Sequence, residues 1–155
     1  MPLESGADAA GHHGVGGDAL RGPAPARLHR NELAAVCDAV PPLLAELPPL
    51  DATRTWMHRF IDYMTTKIGM ADALRLVIAS GGDPYAQSRD LLDAAIERLL
   101  DAGVATGEYR TGVLPDDVLI GLSGIALAAG EPSQRAQAGR LIDLMLDGLR
   151  HRSQA

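Results

Sequence analysis

Residues Ser80–Leu100 read SGGDPYAQSRDLLDAAIERLL, with two glycines, an aspartate and a proline ahead of a helical pattern. The fold turns on Gly81-Gly82-Asp83, which is either a phosphate cradle or the corner between two helices. A phosphate loop needs a strand before it and, in its P-loop form, a closing Gly-Lys-Ser/Thr. Here the run before the glycines, residues 71–79, is apolar with helical spacing, and no lysine follows. The corner reading therefore prevails. A glycine ends the first helix, because it takes the left-handed conformation cheaply. Asp83 caps the next helix, and Pro84 stands at its first position, where a missing N–H costs nothing. Leu91, Leu92, Ala95, Ile96, Leu99 and Leu100 then form a broad apolar stripe.

The same punctuation recurs outward from this corner. Leu33, Val36, Cys37 and Val40 predict a helix over 29–40, which Pro41-Pro42 ends or kinks. Asp51 is the expected N-cap of a helix carrying Trp56, Phe60, Tyr63 and Met64 on one face, with Gly69 as its stop. Gly103 and Gly107 end the long helix after the corner, and residues 108–114 form a loop. Pro115-Asp116-Asp117 starts another helix, with carboxylates at the positive end of its dipole. Glu131-Pro132 opens the last one, running to about Arg150. No window alternates with period two, so the chain reads as all-α, a bundle of about six helices.

The totals agree. The chain of 155 residues is long enough for one core; Ala, Leu and Gly dominate and aromatics are scarce. A net charge of −6 argues against a sequence-independent nucleic-acid surface. The single cysteine, Cys37, cannot form an internal disulfide; it reads as a small buried residue in a protein of the cytoplasm. No apolar run approaches the ~18 residues of a membrane span, and no signal peptide is visible. Residues 1–27, rich in Gly, Pro and Ala, read as a disordered tail ahead of a domain over 28–152.

Catalytic signals are poor. Asp90, Asp93, Glu97 and Asp101, interleaved with Arg89 and Arg98, form a solvated helix face. His58 and Asp62, four apart, read as a local contact rather than a metal clasp, and His12-His13 as a solvated pair. The sequence predicts no catalytic group, no metal and no cofactor, and hence no enzyme.

Two other features point to binding. Trp56, Met57, Phe60, Ile61, Tyr63 and Met64 gather most of the aromatics on one helix. They read as core packing or, more sharply, as the wall of an apolar ligand cavity made by Trp56, Phe60, Tyr63, Met64, Met70, Leu74, Ile78, Tyr85 and Ile96. In the last two helices, PDDVLIGLSGIALAAG brings Gly121, Gly124 and Ala128 near one face, and the apolar arc over 140–147 leaves only a narrow remainder for Arg140, Asp143 and Asp147. A helix that is apolar on most sides needs partners on more than one. These helices are either buried completely within the monomer or, as the sharper expectation, paired in a homodimer with a four-helix interface drawn from Leu119, Gly121, Leu122, Gly124, Ile125, Ala128, Leu141, Leu144, Met145 and Leu149.

Three stretches, NELAAVCDAVPPLLAELPPLDATRTWMHRFIDYMTTKIGMADALR, SGGDPYAQSRDLLDAAIERLLDAGVATGEYR and PDDVLIGLSGIALAAGEPSQRAQAGRLIDLMLDGLR, carry a resemblance in their order and spacing. From about Asn31 onward the chain resembles the C-terminal, ligand-binding and dimerisation domain of TetR-family transcriptional regulators, in the subgroup with an SbtR-like C-terminal domain. The resemblance implies a repressor-type logic, in which a small apolar effector entering the helical body changes the separation of two N-terminal DNA-reading heads. Residues 1–30 show no three-helix pattern with a recognition helix. No DNA-binding residue is therefore assigned, and operator binding is expected only where a helix-turn-helix is supplied.

Overall fold

The computed structural model describes residues 32–152, except 67–69, 84, 87 and 130. The tail expected over 1–27, the Gly69 stop and the Pro84 start lie outside the described residues. Residues 32–38 form α1, followed by α2 (Val40–Glu46), α3 (Pro49–Thr66), α4 (Met70–Ala79), α5 (Arg89–Ala105), α6 (Pro115–Ala129), a 3-10 turn (Pro132–Gln134) and α7 (Arg135–Leu149). Among the described residues the only extended pairing is one antiparallel bridge, Tyr109 with Arg150. The molecule is an all-α bundle.

Helix α3 is its axis and packs against α2, α4, α5, α6 and α7. Its buried face is Ala52, Thr53, Trp56, Met57, Phe60, Ile61 and Met64, all within 4% of full burial. Each large apolar side chain removed from water contributes about 1.5–3 kcal/mol, so this face dominates the core. Helix α5 supplies Leu92, Ala95, Ile96, Leu99 and Leu100; α7 supplies Ala138, Ile142, Leu146 and Leu149. Leu91, expected in the stripe of α5, is 55% exposed. It sits roughly 110° around the helix from the centre of that stripe at 100° per residue.

Some helices begin elsewhere than their punctuation predicts. Pro41 and Pro42 mark a kink rather than a stop: α1 gives way to α2 through the single turn residue Ala39, the prolines lie in the first turn of α2, where proline is tolerated, and Leu43 N–H donates to Ala39 O across the junction at 3.1 Å. Asp51 is not the cap of α3, which begins two residues earlier at Pro49. Glu108, far along the chain, fills that role: its Oε2 accepts the Leu50 N–H at 3.2 Å. A carboxylate at the positive end of a helix satisfies a donor that the helix itself cannot.

Gly81 closes α4 in the left-handed conformation, φ +80°. Its N–H donates to Ile78 O and that of Gly82 to Val77 O, at 3.0 and 2.9 Å, the paired bonds of a Schellman motif. Asp83 caps a turn rather than α5. Its Oδ1 accepts the Tyr85 N–H at 2.9 Å, and the helix starts only at Arg89. Gly107, φ +80°, follows the end of α5, but Gly103 lies inside it. There a Cβ would come within 2.0 Å of the Tyr109 ring, so the missing side chain is the seat of that ring.

Candidate functional site

The aromatic stripe of α3 is anchored at Trp56. Trp56 Nε1 donates to Val36 O at 2.9 Å, tying α3 to α1, and the Trp56 and Phe60 rings stack with centroids 5.7 Å apart. Phe60, Met64, Tyr85 and Ile96 belong with Trp56 to one continuous buried cluster, and Tyr63 packs half-buried at its margin. The Tyr85 hydroxyl donates to Ser123 Oγ at 2.6 Å, and Ser123 in turn donates to Leu119 O at 2.8 Å. Burial raises the Tyr85 hydroxyl above its usual range, so it stays protonated as this chain requires. The Tyr63 hydroxyl is likewise raised, by burial and then by Glu32.

Of the expected cavity wall, then, Trp56, Phe60, Tyr63, Met64, Tyr85 and Ile96 come together. Met70 and Leu74 lie on α4, their side chains outside the described residues. Ile78 stands apart, 46% exposed on the outer side of α4 with Leu76 and Val77. At the α5–α7 end of the stripe, the space between Thr53, Trp56, Met57, Ile96, Leu99, Leu100, Val118 and Leu149 has no room for a water molecule. The stripe is packed there, and a ligand would have to displace side chains.

The last two helices divide their apolar residues between two directions. Leu119, Leu122 and Leu149 are no more than 3% exposed and are spent on the subunit's own core, and Ile125 is nearly so at 9%. Three of the residues expected at a subunit interface are therefore closed off from any partner. The cause is periodicity: Val118, Leu119, Leu122, Ile125, Ala126 and Ala129 recur at 3–4 residue steps and face inward. Gly121 faces α7, where a Cβ would come within 2.5 Å of Met145 Cε; this pair serves the α6–α7 contact inside the subunit. Outward lie Gly124 and Ala128 on α6 and Leu144, 67% exposed, on α7. Ile120, 48% exposed, joins them and was missed, although its four-residue spacing to Gly124 and Ala128 carried the signal. Leu141 and Leu144 border an open groove with Gln137, Arg140, Asp143 and Asp147.

The corner at Gly81-Gly82-Asp83 is a clamp. Arg89 grips Asp83 through two bonds, Nε–Oδ2 at 3.0 Å and Nη2–Oδ1 at 2.9 Å, and holds Asp116 at the start of α6 with Nη1. The Arg89 guanidinium and the Tyr85 N–H keep the Asp83 carboxyl below its usual range. Burial, with Asp116 nearby, pushes Asp93 up. In place of the expected contact with each other, His58 and Asp62 both hold Arg135 of α7, a partner that no local pattern announced. Among the described residues no group of three or more His, Cys, Asp or Glu side chains is placed to hold a metal ion. Nor is any helix among them long and apolar enough to cross a membrane.

Residues 48–151 match the family described as transcriptional regulator SbtR-like, C-terminal domain. The crystal structure of the TetR transcriptional regulator SCO0520 from Streptomyces coelicolor is similar at 57% sequence identity. It superposes with a TM-score of 0.70, over 82% of this chain and 73% of that one. No curated protein matches the chain.

Proposed function

The chain belongs to the TetR family of transcriptional regulators, and from that premise we propose that residues 28–152 are its effector-sensing and pairing body. Members of the family work as dimers that bind DNA and small effectors. In this reading two copies pair through the outward faces of α6 and α7, using Gly124, Ala128, Ile120, Leu141 and Leu144. A small apolar effector enters the core beside Phe60, Tyr63, Met64 and Tyr85, and operator DNA is bound only through a helix-turn-helix. The protein acts in the cytoplasm and catalyses nothing. The observation that carries this reading is the two-sided α6–α7 pair, which keeps Leu119, Leu122 and Leu149 inside the subunit and turns Ile120 and Leu144 outward. An effector that binds one dimer geometry better than the other shifts the population between them, and that difference is the whole of its regulatory effect.

The test is a thermal-shift screen of the purified chain against apolar metabolites, paired with a mobility-shift assay. A ligand at a hundred times its Kd stabilises by about 2.7 kcal/mol, a readily measured rise in Tm. The expected result is a rise for some apolar compounds and no sequence-selective DNA complex from the chain alone. Tight, salt-resistant and selective DNA binding by it would overturn the assignment of the chain to sensing and pairing.

A further inference from the structure

His58 sits midway along α3, half-buried against α7. A Cβ on Gly139 of α7 would lie 3.6 Å from its Cε1, so the imidazole edge rests over a bare stretch of α7 backbone. Arg135, the first residue of α7, reaches back across this contact. Its Nη2 is 3.0 Å from His58 Nδ1, 3.4 Å from His58 O and 2.9 Å from Asp62 Oδ1, and its Nε is 3.0 Å from the same Asp62 oxygen. A guanidinium has donors and no acceptor. Hydrogen-bond distance from Arg135 therefore requires a lone pair on His58 Nδ1, which makes the ring neutral with its proton on Nε2. We propose that His58 and Arg135 form a proton-operated latch, closed at neutral pH to hold α3 to the start of α7 and opened when the imidazole takes up a second proton.

Once protonated, both ring nitrogens are donors, and two cations face each other at bonding distance. The charged groups around His58 are Arg54 and Asp62 on α3 and Arg135 and Asp143 on α7. Burial and then Arg135 hold the imidazole below the usual histidine range, with Arg54 adding a little; Asp62 and Asp143 pull the other way. Neither carboxylate is idle: Asp62 is shared by two nitrogens of Arg135, and Asp143 pairs with Arg54 Nε at 3.4 Å. Arg135 is already short of acceptors, since its buried Nη1 has none among the described residues. Losing His58 leaves it still shorter.

The direction in pH follows. The unfolded chain takes up the proton near the ordinary histidine value of about 6.5, and the folded chain resists it. The latch's contribution is complete above that value and declines as pH falls below it.

The test is imidazole nitrogen–proton correlation NMR from pH 8 to 5, with the His58 signal assigned by its loss in His58→Gln. At pH 7.5 the expected form is the Nε2–H tautomer, with a titration midpoint below that of an ordinary histidine; Arg135→Met moves the midpoint up toward the ordinary value. Hydrogen-exchange protection over the first turns of α7 falls several-fold between pH 7.5 and 5.5. It holds steady in His58→Gln, whose amide oxygen still accepts from Arg135. An Nδ1–H tautomer, a midpoint at or above the ordinary value, or the same loss of protection in His58→Gln overturns the latch. Should Arg135→Met fail to fold, the tautomer and midpoint of the unmodified protein decide alone.

Discussion

At the scale of single residues the chain is held by contacts between positions far apart in sequence, and these were the least legible. Gly103 was read as a helix stop, because a glycine near a helix end usually is one. Its role is to leave room for Tyr109, whose hydroxyl donates to Thr53 Oγ1 at 2.6 Å while Thr53 donates to Pro49 O at 2.7 Å. Gly103→Ala would drive a methyl into the ring, and overpacking of this kind costs about 1–3 kcal/mol. Urea denaturation should show that loss, whereas Gly148→Ala, with nothing within 4 Å, should show none. Cys37 reads as a small buried residue in the sequence, and the structure leaves it half-buried at the margin of the core. Burial, and then Asp38, pushes its thiol up to about 11, so the thiolate that reacts is scarce at neutral pH. Alkylation by iodoacetamide at pH 7.5 should be slow in the native protein and should accelerate on unfolding; rapid native labelling would contradict this placement. The roles of Glu108 and Arg135 could not be read, since neither partner lies within a helical turn.

At the scale of helices the sequence was far more informative, because apolar period and proline–glycine punctuation are local. The extents of α4 and α6 and the corner at Gly81-Gly82 were legible, and the corner's glycine bonds have the geometry that a helix stop needs. The start of α5 was misplaced because Asp83 satisfies a turn that delays the helix by several residues. The proposed cavity wall was only half legible: periodicity puts Trp56 and Phe60 on one face but cannot say whether that face is full. Packing and binding make different predictions for it. Trp56→Ala empties a closed region of the core and should cost about 3–5 kcal/mol by denaturation. Tyr85→Phe removes only the hydroxyl bonded to Ser123, and should cost about 1–2 kcal/mol through that buried bond. An effector found by thermal shift should lose affinity in Tyr85→Phe if the cavity opens at that end. Unchanged affinity there would move the binding site away from Tyr85.

At the scale of the whole molecule, one subunit leaves apolar surface that its own core cannot cover. The sequence signalled this excess on the last two helices without resolving its direction, since Leu119 and Ile120 are neighbours in the chain, about 100° apart around α6, and only the first is buried. The outward set is a narrow strip, with Ile120, Gly124 and Ala128 along α6 and Leu144 on α7. The groove beside Leu144 carries Arg140 together with Asp143 and Asp147. In the proposed pairing, a two-fold axis through this face would let each copy offer both signs of charge to the other, the self-complementarity that an isologous interface requires. Gly124 gives the sharpest test, because a Cβ there meets nothing within 4 Å in the subunit. Gly124→Trp should therefore fold normally and fail only in pairing, as should Leu144→Asp, which places a charge on an already exposed position. Light scattering should report half the mass of the unmodified protein for each. Leu76→Asp, equally exposed but on α4, should leave the mass unchanged. If both α6–α7 variants keep the full mass, the pairing face lies elsewhere; if Leu76→Asp alone reduces it, that face includes α4.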